Sequence, residues 1–156
     1  MYSEILSRVK TSEEKEQLQD EIEALKVSLY ERGAVFEDML KTRVRAWASQ
    51  QIRKDLEGGE IDKEKYLTSL IEKLKELKCV KLSIAFEPTQ VAIDKFYTFI
   101  TGEIGENVVL DITCQPKIMG GAIIIYEGKY RNFSLRRVFE EESKTFNEFI
   151  LKILAR

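Results

Sequence analysis

A chain of 156 residues, 44% hydrophobic and 33% charged, has room for one packed domain or for a small domain with a helical extension, and its charge exceeds that of an average soluble domain. Its 25 basic and 27 acidic residues leave a net charge of -2, so no global field draws it to phosphate polymers or anionic lipid, and nucleic acid is not expected as a partner. Histidine is absent, which removes the usual general base, the usual zinc ligand and any Ser-His or Cys-His nucleophile pair; no catalytic residue, metal or cofactor is expected.

The first residues, Met1-Tyr2-Ser3-Glu4, show neither a basic start nor an apolar run, so no signal peptide is expected. No segment approaches the ~20 apolar residues that cross a bilayer, and direct membrane insertion is not expected. From Thr11 to Leu77 the chain lacks proline and reads almost entirely as helix. Ser12 is the expected cap, with acidic residues crowding the first turn where the helix dipole is positive. Leu18, Ile22, Leu25 and Leu29 follow at four-three-four spacing, a narrow seam of the coiled-coil kind. A helix with only that stripe gains little in water, so the seam implies a second helix from this chain or another, and a partner is expected.

Gly33 admits two readings, a turn or a glycine inside one long helix. An interior glycine costs only ~1 kcal/mol, which favours the continuous helix. Phe36, Leu40, Val44 and Trp47 carry the apolar face onward through Ile52 and Leu56 to a stop at Gly58-Gly59, and with the seam they form the expected partner-binding face. The charges Lys41, Arg43, Arg45, Arg53 and Lys54 spread over more than one side of this helix and suit acidic partners or solvent better than RNA. Asp62 caps a third helix with a wider face from Tyr66 to Leu77.

At Cys79 the period changes to alternation, with Val80, Leu82, Ile84 and Phe86 on one side of a half-buried strand. Cys79 and Cys114 match no metal spacing and read as small hydrophobes inside strands. Pro88 suits the first turn of the next helix, whose inner face is Ile93, Phe96 and Ile100. A second strand spans Val108 to Cys114, and Ala122 to Tyr126 forms a third that is apolar on both faces and therefore central. Gly120-Gly121 opens this strand, where glycine permits positive φ or a close strand approach. Glu127-Gly128 supplies a tight turn, Lys129 to Arg131 returns as an edge strand, and Ser134 caps a last helix bearing Leu135, Val138, Phe139, Phe146, Phe149, Ile150 and Ile153. The expected class is α+β: a long helical stalk over residues 1–77, then a small two-layer β-α-β-β-α module over residues 78–156.

The run from about Val80 to Glu140 resembles the carboxy-terminal domain of the delta subunit of F-type ATP synthases, whose mitochondrial counterpart is the oligomycin-sensitivity protein. Pro116, Ile118, Met119, Gly120, Gly121, the aliphatics Ala122 to Ile125, Asn132, Ser134 and Leu135 fall in the family's order without a gap. Asn132 and Phe133 depart from it, standing where aspartate and a small residue are usual. The first half is read as lacking the family's amino-terminal helical bundle. It is similar instead to the end of a b-type stalk helix or of an E-type subunit of V/A-type ATPases, through Arg45 to Ile52 and Ile61 to Ile71.

The resemblance implies a non-catalytic peripheral-stalk (stator) subunit of a proton-translocating ATP synthase, part of a heteromeric complex. Its partners would be b-type stalk helices and the alpha subunit of the catalytic head. It would lie on the cytoplasmic, inner face of the energy-coupling membrane, held there by those partners. An E-type stalk subunit is the alternative within this class; an RNA-binding adaptor and a small enzyme are the alternatives outside it.

Overall fold

The computed structural model describes residues 2–31, 35–57, 62–118, 120–137 and 139–140. Contacts divide the chain into two compact units, Met1–Lys78 with Tyr97–Val109, and Cys79–Phe96 with Leu110–Arg156. Helices precede a four-stranded sheet, which agrees with the expected α+β class at the level of its elements.

The first unit contains α1 (Ser3–Leu6), α2 (Ser12–Ser28), α3 (Val35–Thr42), α4 (Ala46–Glu57) and α5 (Lys63–Glu76). α2 starts at a capping box one residue earlier than expected. Thr11 Oγ1 accepts the Glu14 N–H at 3.2 Å, and Glu14 Oε2 accepts the Thr11 N–H at 3.3 Å. α2 ends at Ser28, whose buried hydroxyl donates to the Leu25 carbonyl at 2.6 Å and competes for the groups that would extend the helix.

The continuous helix expected across Gly33 is therefore not formed: α2 stops at Ser28, and α3 begins at Val35. Gly33 itself lies outside the described residues, as do Gly58, Gly59 and Ile61. The longest described helix, α2, has 17 residues, about 26 Å at 1.5 Å per residue, and no long stalk is present among the described helices. The physical reason is the seam. Leu18, Ile22 and Leu25 are fully buried in one core with Leu67, Leu70 and Leu74 of α5, and α2 packs on both α3 and α5. A helix whose stripe is covered within its own chain gains more than an extended one with the stripe in water.

A second break falls between α3 and α4, where the sequence showed an unbroken apolar face. The N–H groups of Arg43 and Val44 both reach the Met39 carbonyl, and the Arg45 N–H leaves the helix ladder for Glu21 Oε2 at 3.0 Å. The Glu21 carboxylate also holds the Arg45 guanidinium, with Nη2 at 2.9 Å and Nε at 3.1 Å from Oε1. An acidic side chain from α2 thus sits at the positive end of α4. α4 and α5 are joined by Tyr66, nearly fully buried, whose hydroxyl donates to Asp55 Oδ2 at 2.8 Å while its ring lies 5.2 Å from that of Tyr2.

The sheet is built from β1 (Lys78–Ile84), β2 (Val108–Cys114), β3 (Ala122–Tyr126) and β4 (Lys129–Asn132), in the order β2-β1-β3-β4, with α6 (Gln90–Ile104) between β1 and β2. The Lys78 N–H reaches the Asn107 carbonyl, and the Gln115 N–H reaches the Ile84 carbonyl, so β1 and β2 run parallel with α6 as their crossover. β3 pairs antiparallel with both β1 and β4 and is flanked on either side, as expected. Its residues are only half-buried apart from Ile125, which is exposed. Val80, Leu82 and Ile84 are fully buried, in agreement with the alternating pattern, but Phe86 is exposed, because β1 ends at Ile84 before the pattern reaches it.

Two local expectations fail. Pro88 does not open α6; Thr89 caps it, its Oγ1 accepting the Ala92 N–H at 3.4 Å, because a hydroxyl can satisfy an orphan amide and proline cannot. Cys79 and Cys114 are exposed, and neither is in a disulfide. Met119, Val138 and the expected helix-face residues Phe146, Phe149, Ile150 and Ile153 lie outside the described residues.

Ile22→Ala is expected to lower stability by about 2–5 kcal/mol, the usual cost of emptying a fully buried aliphatic site, read as a fall in the urea midpoint of the helical signal. A seam kept for an outside partner would leave that midpoint unchanged. Burial, then the bond to Asp55, raises the Tyr66 pKa above the ordinary tyrosine value, so the neutral phenol favours the fold. That contribution is complete below the unfolded tyrosine pKa of about 10 and is lost as pH rises beyond it. The midpoint should be level from pH 7 to pH 9 and fall above about pH 10. Tyr66→Phe should make the fall shallower without abolishing it, since burial raises Tyr97 as well.

Candidate functional site

Gly120, Gly121, Ala122, Asn132, Phe133, Ser134 and Leu135 meet at one junction in the second unit. β3 and β4 are joined by Glu127 and Gly128, both at positive φ (47° and 76°), the geometry of a two-residue hairpin turn. β4 then ends where the chain before β3 returns. The Phe133 N–H donates to the Ala122 carbonyl at 2.8 Å, and the Leu135 N–H donates to the Gly120 carbonyl at 3.1 Å.

Gly120 and Gly121 both adopt positive φ, 94° and 82°. A Cβ on Gly121 would stand 2.2 Å from the Phe133 carbonyl oxygen, which is backbone and cannot give way; one on Gly120 would stand 2.8 Å from Leu135 Cδ1. The glycine pair thus serves a close backbone approach, as its position before a strand implied.

The following segment closes the junction. Asn132 Oδ1 accepts the Ser134 N–H at 2.9 Å, and buried Ser134 accepts the Arg137 N–H through Oγ at 3.4 Å, capping the helical residues 135–137. Arg137 Nη1 donates back to the Asn132 carbonyl at 3.3 Å. Asparagine here supplies the acceptor oxygen that an aspartate would supply, so the departure at Asn132 leaves the turn intact. Pro116 opens a short 3-10 turn, Pro116–Ile118, that leads into the junction, and Ile118 is buried there.

The expected partner-binding face is placed differently. Leu18, Ile22, Leu25, Phe36, Leu40 and Val44 are buried in the chain's own core, with Leu29 and Trp47 packed against it. These residues come together facing inward, with Leu29 and Trp47 only partly covered. The basic residues are also partly committed: Arg45 pairs with Glu21, and Arg53 Nη2 lies 3.6 Å from Glu37.

The outward apolar residues lie elsewhere. Phe133, Leu135 and Phe139 are 53%, 51% and 63% exposed beside the junction, with Leu135 and Phe139 one helical turn apart. The sequence places Leu135 and Phe139 on the apolar face of the last helix and Phe133 at a departure from the family's small residue, but among the described residues nothing covers these three side chains. The signal was a phenylalanine at a turn position that packing does not require. No protein-family model matches the chain, and no curated protein matches it at a significant level.

Gly121→Ala should cost about 2–5 kcal/mol, from positive φ plus a clash with backbone. Gly128→Ala, where a Cβ meets open space, should cost only the conformational part, about 1–2 kcal/mol. Urea midpoints of the two variants separate the effects; equal losses would mean that the close approach at Gly121 has no energetic weight.

Proposed function

We propose that this chain is a non-catalytic peripheral-stalk subunit of a rotary proton-translocating ATP synthase, of the delta type. The observation that carries the reading is the junction: Gly120, Gly121, Asn132, Ser134 and Leu135, the residues of the resemblance, meet through direct bonds and a close backbone approach rather than lying scattered in the fold. A second observation favours the F-type reading over the E-type alternative. The helices before the sheet are short and share a core, which accords with a helical bundle preceding the carboxy-terminal module and not with a long stalk helix. The Arg45–Glu21 and Arg53–Glu37 pairs weaken the RNA-adaptor reading, because two of the five cations it needs are balanced internally.

On this reading the chain joins membrane-anchored b-type stalk helices to the alpha subunit of the catalytic head and resists torque by staying folded. No described helix is long and apolar enough to cross a membrane, so its hold on the membrane would run through those partners. Attachment of the second unit would use Phe133, Leu135 and Phe139, exposed aromatic and aliphatic side chains of the kind that anchor interfaces.

Affinity purification of the tagged chain from its native membrane should recover alpha and b-type subunits. Phe133→Glu with Phe139→Glu should lower that recovery about tenfold, an interface loss near 1.4 kcal/mol, while the urea midpoint of the helical unit is unchanged. Recovery of the unmodified chain without any ATP synthase subunit would overturn the reading.

A further inference from the structure

The first unit contains a groove of about 230 Å³ between α1 and α4, lined by Glu4, Arg8, Trp47, Gln50, Gln51 and Lys54. We propose that it is an oxyanion site, taking the phosphate or carboxylate group of a small ligand between Arg8 and Lys54.

Trp47 sits at the centre of the charge pattern. Two guanidinium groups lie near its ring, Arg8 at 5.6 Å and Arg45 at 5.9 Å from the centroid. Their charges are treated unequally. Arg45 is neutralised by Glu21 at 2.9 Å, whereas among the described residues no carboxylate lies within ion-pair distance of Arg8 or of Lys54. Glu4 lines the same groove and leaves it with two cations to one carboxylate.

Like charges drawn into one concavity repel, and an oxyanion between them removes that repulsion. The indole ring restrains the Arg8 guanidinium by cation–π attraction, so less ordering is required when an anion arrives. The planar fork of arginine matches two oxygens of a phosphate or carboxylate, lysine adds a point charge, and the Gln50 amide offers a further donor. The volume is below the ~300–1,000 Å³ of ordinary organic-ligand pockets, which limits the occupant to a small anion or one acidic group. The site is independent of the stator reading, since it rests on α1, α4 and Arg8 in the segment after α1, and on no residue of the junction.

Trp47 is the chain's one tryptophan, so its fluorescence reports on the groove directly. The full chain is titrated with inorganic phosphate and, separately, with succinate, at constant ionic strength. A saturable change is expected with at least one anion; saturation by phosphate alone assigns a phosphoryl ligand, and by succinate alone a carboxylate. Arg8→Gln and Lys54→Gln should each weaken binding about tenfold, and Glu4→Gln should tighten it roughly threefold, all with unchanged circular dichroism. Lys41→Gln, an exposed lysine outside the groove, should leave the curve in place. No saturation with either anion would overturn the proposal. So would curves unmoved by the Arg8 and Lys54 changes, a Lys41 change as large as theirs, or a Glu4→Gln variant that binds no more tightly.

Discussion

Burial of one thin apolar stripe governs the helical unit. Leu18, Ile22 and Leu25 give α2 so little apolar surface that the helix is marginal by itself in water. Cover from α5 and α3 makes the stripe part of a core, and that core requires the chain to turn after Ser28 instead of running on. The turn brings Glu21 to the gap between α3 and α4. There it takes the Arg45 N–H and neutralises the Arg45 guanidinium, so one packing decision produces both helix breaks. Buried Tyr66, bonded to Asp55, then fastens α5 to α4.

A different constraint organises the second unit. The backbone around Gly121 passes so close to the Phe133 carbonyl that no side chain fits between them. That approach aligns β3 with the segment leaving β4, where Asn132 and Ser134 convert strand into helix through two side-chain acceptors. Each residue type suits its position, with glycine where space and φ demand it, asparagine at the turn and serine at the cap. The exposed Phe133, Leu135 and Phe139 stand beside this junction, whose hydrogen bonds and close backbone approach hold their backbone in place and so lower the entropy lost if such side chains meet a partner.

The inward seam alters the functional argument without removing it. A face that holds its own fold together cannot also clasp a neighbour, so attachment on the proposed stator reading moves from the helical half to the surface beside the junction. The groove on Trp47 is a separate matter: its excess of cations comes from Arg8 and Lys54 facing the single carboxylate of Glu4.

What the amino-acid order determines alone is local. Alternation from Val80 to Ile84, the Glu127-Gly128 turn, the glycine pair before β3 and the Ser134 cap were all legible, because each depends on the φ preference, hydrogen-bonding capacity or two-residue period of neighbouring residues. Only the tertiary structure decided which surface the α2 seam faces, since an apolar stripe specifies that it must be covered and not by what. It alone decided that Arg45 breaks a periodic apolar helix, because the acceptor is Glu21, on another helix. Periodicity records where a helix meets no penalty in continuing; the ends of these helices were set by contacts between residues far apart in the chain, whose free energy no local pattern contains.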